Sequence, residues 1–108
     1  MPNPSSDTLK ALSNYPNQQT LQTRFGDMDV GKHINNVAIM KYYEDARCRY
    51  LIELFGGKDI FFASEHTFVN VEATVTYLAE IHYPESIIVA SAVAHIGNSS
   101  CHVQQTVF

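Results

Sequence analysis

The spacing of apolar positions changes twice along the chain, and the changes predict its elements. Residues 18–25 alternate, with Leu21, Thr23 and Phe25 on one face and Thr20, Gln22 and Arg24 on the other, which predicts a strand. Over 36–55 the period lengthens: Val37, Met40, Tyr43, Ala46, Tyr50, Leu51 and Leu54 form a helical stripe. Asn35 or Asn36 can cap its start, and Gly56 and Gly57 end it. Lys41 with Asp45, and Glu44 with Arg47, are spaced to pair on its surface. After a loop at 58–65, alternation returns over 66–83. Val69, Val71, Ala73, Val75, Tyr77, Ala79 and Ile81 share one face, while Asn70, Glu72, Thr74, Thr76, Glu80 and His82 lie mostly on the other, so a long strand with one wet face is expected. Tyr83 to Ser86 make a turn. Residues 87–96 are apolar on both faces, which predicts a central strand; Gly97-Asn98-Ser99 turns the chain into a last strand over 100–108. One long helix with several antiparallel strands predicts a two-layer α+β domain.

Composition narrows this picture. The 108 residues make one domain. The Pro-, Asn- and Ser-rich stretch 1–17 reads as a flexible arm, with a short turn around Leu9 to Leu12, ahead of a domain at 18–108. A net charge of −4 argues against non-specific nucleic-acid binding. All seven basic residues fall within the first 58 positions, so a phosphate-bearing ligand must be met there, by a partner subunit, or by backbone N–H groups. No apolar run reaches the roughly 20 residues of a membrane span, and the N-terminus lacks the pattern of a signal peptide, so a cytoplasmic protein is expected. The two cysteines, Cys48 and Cys101, have neither metal-ligand nor disulfide-framework spacing and read as reduced, half-buried thiols.

The chemistry concentrates in Asp27 to Asn36, between the first strand and the helix. There a carboxylate, Asp29, precedes a glycine turn that delivers the chain to a helix N-terminus with its unsatisfied N–H groups. A carbonyl held between them would meet a base or nucleophile on one side and oxyanion donors on the other, which points to acyl transfer or hydrolysis. The plainer alternative is an Asp that caps its own turn. Other readings of the stretch fail. A calcium loop starting at Asp27 would have its glycine one place early and Ala38 where a glutamate belongs. Nothing accompanies Asp27 and Asp29 to support glycoside chemistry. The five histidines have no metal-ligand spacing, so no metal or cofactor is expected. Ser99 and Ser100 near His102 lack a nucleophile elbow. Tyr42-Tyr43 and Phe61-Phe62 are expected in core or dimer contacts.

The stretch from Arg24 through Asp27-Met28-Asp29-Val30-Gly31-Lys32-His33-Ile34-Asn35-Asn36 to Glu44-Asp45-Ala46-Arg47 resembles the signature of hotdog-fold acyl-CoA thioesterases of the 4-hydroxybenzoyl-CoA thioesterase type. That signature reads Asp-x-Asp-x-x-Gly-His-Val-Asn-Asn, followed by a helix with Glu-x-Ala-Arg; here Lys32 stands where it has glycine, and Gly31 comes one place earlier. The resemblance implies a long helix wrapped by a curved antiparallel sheet, with at least one further strand than a chain ending at Phe108 provides. It implies homodimers or homotetramers with sites between subunits, and an acyl-CoA substrate carrying a fatty or aromatic acyl group. Asp29 would attack the thioester or activate water, the Asn36 N–H would polarise its carbonyl, and His33 and Asn35 would shape the loop. Met40 and Tyr43 would line the acyl chain, and Lys32, Arg47 or Arg49 would meet phosphate. A non-catalytic acyl-CoA-binding or dimerisation module is the alternative.

Overall fold

A computed structural model of the chain describes residues 12–65 and 68–108. Strands β1 (Asn17–Gln22), β2 (Ser86–Ile96) and β3 (Cys101–Val107) form an antiparallel sheet in the order β1-β2-β3, and helix α1 (Asn36–Leu54) packs across it. The α+β hotdog reading therefore holds, and the doubly apolar strand is the central one. Its buried residues Ile87 and Val89 meet Ala46 of α1, with Leu21, Tyr42, Tyr43, Ile81 and Val107 around them. A second cluster, Ile34, Ala38 and Ile39, closes the N-terminal end of the helix, and Tyr42, Tyr43 and Ile81 join the two.

The helix starts and stops for the expected reasons. The Asn35 side chain accepts from the Val37 N–H at 2.7 Å, and Gly56 and Gly57 leave the helix at φ of 96° and 94°, a region that favours glycine. The buried stripe is rotated from the expected one. Ala38, Ile39, Ala46, Tyr50 and Leu51 face inward, while Val37, Met40 and Leu54 are at least 46% exposed. An apolar residue at the edge of a helical stripe follows whichever face the sheet covers. Asp45 pairs forward with Arg49 at 2.9 Å, and Arg47 reaches Gln105 on β3; neither expected surface pair is the one formed.

Further differences have local causes. Phe25 leaves the strand face for a 3-10 turn (Phe25–Asp27) and is 73% exposed, while Thr23 takes its place inside. Thr23 is held there by three bonds of 2.9 Å: its N–H donates to Glu85 O, its hydroxyl donates to His82 O, and the Glu85 N–H donates to its hydroxyl. The expected loop at 58–65 contains a short helix α2 (Lys58–Ala63), which presents Phe61 edge-on to Phe62 and stacks it on Phe68. Cys48 is exposed instead of half-buried. The turn expected at Leu9 to Leu12 lies outside the described residues except for Leu12. From Leu12 onward the arm is built into the fold: Tyr15 is 4% exposed, its ring set edge-on against Phe108 at 6.0 Å.

The largest departure is the strand expected over 66–83. His66 and Thr67 lie outside the described residues, and 68–82 forms no ladder with any described strand. Val69 and Val71 are 79% and 91% exposed. Alternation reports which face a strand would bury; it does not supply the neighbouring edge whose N–H and C=O groups make the ladder. No helix among the described residues is long and apolar enough to cross a membrane.

Candidate active site

The loop between β1 and α1 is closed by hydrogen bonds of its own and tied at both ends to its surroundings. Asp29 N–H donates to His33 O and Lys32 N–H to Asp29 O, both at 3.1 Å, while Met28 and Ile34 form an isolated bridge. The Asp29 carboxylate accepts from the Gly31 N–H at 2.8 Å, so the turn-capping role of an aspartate is real here. It uses one oxygen; the other lies outside that bond. Lys32 occupies the left-handed region, φ 67°, the position that glycine takes in the thioesterase signature. Gly31 is needed for space: an added Cβ would lie 2.9 Å from His33 Nε2 and 3.1 Å from an Asp29 oxygen.

Two further bonds join loop and helix. Asn35 N–H donates to Asp27 O at 2.8 Å. The Tyr42 hydroxyl donates to Asp27 Oδ2 at 2.6 Å, and the Tyr42 phenol is pushed up to about 12, chiefly by burial and then by this bond and the carboxylate's charge. With the Val37 N–H satisfied by the cap, the Asn36 N–H stands at the first helical position with no acceptor within the helix.

That N-terminus opens into a cleft of about 270 Å³ walled by His33, Asn36, Ile39, Tyr77, Glu80 and Ile81, among others. The 77–81 segment forms the far wall. It is tied down by Ile34 N–H donating to Ile81 O at 2.7 Å and by the Tyr77 hydroxyl donating to Asn36 O at 3.2 Å. The His33 ring lies between two carboxylates: Nδ1 is 3.8 Å from Asp29 Oδ1, and Nε2 is 3.9 Å from Glu80 Oε1. The other Glu80 oxygen is 3.6 Å from His82 Nε2.

Of the residues singled out in the sequence, His33 and Asn36 line the cleft, Asp29 stands beside His33, and Asn35 is used as the helix cap. Met40 is 46% exposed and outside the cleft wall; Tyr43 is half-buried among the core clusters, and burial pushes its phenol up. Arg47 lies about 16 Å further along the helix at 1.5 Å per residue, its guanidinium on Gln105. Lys32 is exposed at the loop tip. Tyr77 and Glu80 belong to the cleft, whereas alternation places them on a strand's two faces; no pattern in the sequence carries their approach to His33. Among the described residues no cluster of three or more His, Cys, Asp or Glu is placed to hold a metal.

A long helix on an antiparallel sheet, with a carboxylate loop feeding its N-terminus, defines a hotdog protein of thioesterase type. The chain belongs to the Thioesterase-like superfamily, whose sequence profile matches residues 23–108. Among solved structures it is similar to the PA5185 protein of Pseudomonas aeruginosa, at 30% identity over 89% of this chain and 66% of that one, with a TM-score of 0.79. It is also similar to a thioesterase from Thermus thermophilus solved with coenzyme A and Zn, at 28% identity over 86% of this chain and 71% of that one, TM-score 0.72. A provisional acyl-CoA thioesterase from Xanthomonas campestris is 26% identical over 83% of this chain and 74% of that one, TM-score 0.66. The chain thus spans just under two thirds of the length of the PA5185 protein. No curated protein matches it.

Proposed function

We propose that this chain hydrolyses the thioester of an acyl-CoA, with a fatty or aromatic acyl group. The observation that carries the reading is the cleft at the start of α1, where the Asn36 N–H, His33 and the adjoining Asp29 carboxylate come together. A thioester carbonyl in the cleft would accept a hydrogen bond from the Asn36 N–H, which stabilises negative charge as the carbon becomes tetrahedral. Asp29 then acts in one of two ways. As nucleophile it attacks the carbonyl carbon and releases the thiolate, and water hydrolyses the resulting anhydride. As general base it takes a proton from water, the hydroxide attacks the carbonyl carbon, and the C–S bond breaks to release the thiolate. The Gly31 N–H on one carboxylate oxygen holds Asp29 in place for either role.

His33 and Asn35 shape this loop, and the exposed Lys32 ammonium is available to a phosphate of the substrate. Met40 and Tyr43, if they bind the acyl chain, do so beyond the cleft wall described above, and Arg47 requires release from Gln105 to reach phosphate. Assembly into homodimers or homotetramers and a cytoplasmic location complete the reading; the similarity to a thioesterase solved with coenzyme A supports the choice of substrate.

The test is free-thiol release from short, long and aromatic acyl-CoAs by the parent chain and by Asp29→Asn. Loss of general acid–base assistance lowers rates by about 10²–10⁴, so the variant is expected to lose at least a hundredfold in kcat with its thermal transition retained. Activity within about threefold of the parent would sink the Asp29 assignment. A folded parent that binds acyl-CoA without turnover would make this a binding module.

A further inference from the structure

We propose that Glu80 is a positioning residue of this site, holding the His33 imidazole from the wall of the cleft opposite Asp29. The inference rests on the cleft being the reaction site. Three observations carry it. First, the two ring nitrogens of His33 each face a carboxylate, Nδ1 toward Asp29 at 3.8 Å and Nε2 toward Glu80 at 3.9 Å. Nδ1 also lies 3.4 Å from Ile34 O, and in the imidazolium form both ring nitrogens donate, so Asp29 and Ile34 meet one edge of the ring and Glu80 is the group that meets the other.

Second, Glu80 is delivered by backbone that is itself anchored. Ile34 N–H donates to the carbonyl of the next residue, Ile81, at 2.7 Å, and three residues earlier the Tyr77 hydroxyl donates to Asn36 O. The wall is therefore tied both to the residue after His33 and to the helix start, and the Glu80 side chain has only the cleft mouth to span. Third, Glu80 is itself braced, since its second oxygen lies 3.6 Å from His82 Nε2. Asp29, His33, Glu80 and His82 thus follow one another as alternating carboxylate and imidazole, of which His33 and Glu80 line the cleft.

The distances exceed a direct hydrogen bond, and the Glu80 side chain is 64% exposed, so the pair contributes little to stability. Catalytic contacts are often long in ligand-free structures and tighten in the complex. A thioester filling the cleft displaces water from the mouth, and the His33–Glu80 attraction strengthens as the local dielectric falls. The role of Glu80 is accordingly expected in the rate of the bound complex, not in folding or in the first encounter with substrate.

The test uses the full chain and two readouts. The ring resonances of His33 are followed by NMR in the parent, Glu80→Gln and Glu72→Gln, the last removing an exposed carboxylate elsewhere on the same segment. Thiol release from the best acyl-CoA is measured in parallel. Expected are a displacement of the His33 resonances by Glu80→Gln but not by Glu72→Gln, and a fall in kcat of about 3- to 30-fold with KM within about twofold. Glu80→Asp should recover part of the rate, and Glu80→Gln should cost nothing further once His33→Asn is present. Unmoved His33 resonances, or equal losses with and without the His33 imidazole, would overturn the inference. A parent without turnover, whose His33 still responds to Glu80, would count against the thioesterase reading while supporting the pairing.

Discussion

Tyr42→Phe isolates the bond that fastens the active-site loop to the helix. The ring bridges both core clusters and is retained in phenylalanine, so no cavity opens. What is lost is the 2.6 Å bond from the hydroxyl to Asp27 Oδ2. A hydrogen bond to a charged group contributes about 1.5–3 kcal/mol. Asp27 is only partly buried, so water can replace the lost donor in part and the lower half of that range applies, about 1.5–2 kcal/mol. For a domain of this size each kcal/mol shifts Tm by roughly 4–8 °C, so a fall of roughly 6–16 °C is expected near neutral pH. The same phenol gives a second signature. Its folded value of about 12 lies above the ordinary 10, because burial and the Asp27 carboxylate disfavour the phenolate. A group raised on folding stabilises fully below its unfolded value, and that contribution is lost as pH rises through the folded one. The parent should therefore lose stability between pH 10 and about 12. Tyr42→Phe should lose less over that window, retaining, among the described residues, the decline due to Tyr15 and Tyr43, whose phenols are also raised by burial. Urea denaturation of the parent, Tyr42→Phe, Asp27→Asn and the double variant, at pH 7 and across the alkaline range, measures both effects. A change below about 0.5 kcal/mol, or strictly additive single effects in the cycle, would refute the bond as the tie between loop and helix.

Two other predictions concern the same loop. Lys32→Gly removes a residue from the left-handed region; relief of about 1–2 kcal/mol against about 0.5–1 kcal/mol of extra chain entropy should raise Tm by a few degrees, while KM for acyl-CoA rises if the ammonium meets phosphate. A Tm that falls would show that the lysine is not strained there. Gly31→Ala should lower kcat by tenfold or more with little change in Tm, because the new methyl group falls 2.9 Å from His33 Nε2 and 3.1 Å from the Asp29 carboxylate and displaces both; kcat equal to the parent's would show that neither position matters.

Much of the helix and its junction could be read directly from residue types. Asn35 as cap, the two glycines as terminator and the doubly apolar central strand each express a local rule, and local rules survive folding. Less legible was anything that depends on which surface is covered. The helix stripe came out rotated because Val37 and Met40, apolar but at the stripe's edge, meet no sheet. Asp45 found Arg49 in place of Lys41: both lie four residues away, and the acid-before-base order is the one that suits the helix dipole.

The far wall of the cleft was the least legible part, for a reason specific to strands. A period of two assigns Tyr77 to one face and Glu80 to the other, and such a strand cannot present both to one cleft. In the structure the segment pairs with no described strand, so its side chains are freed from strict alternation and Tyr77, Glu80 and Ile81 all line the same cleft. The loop carries the acid and the helix carries the amide, both readable from the Asp29-to-Asn36 signature. The carboxylate that faces His33 from across the cleft comes from a segment that, beyond its tie to Thr23 at His82, is held to the cleft by two hydrogen bonds, Ile34 to Ile81 and Tyr77 to Asn36. Neither bond has a sequence pattern of its own: one is backbone to backbone, and the other ends on a carbonyl that every residue possesses. A site assembled from a motif on one wall and unpatterned backbone contacts on the other is visible in sequence only by its first half.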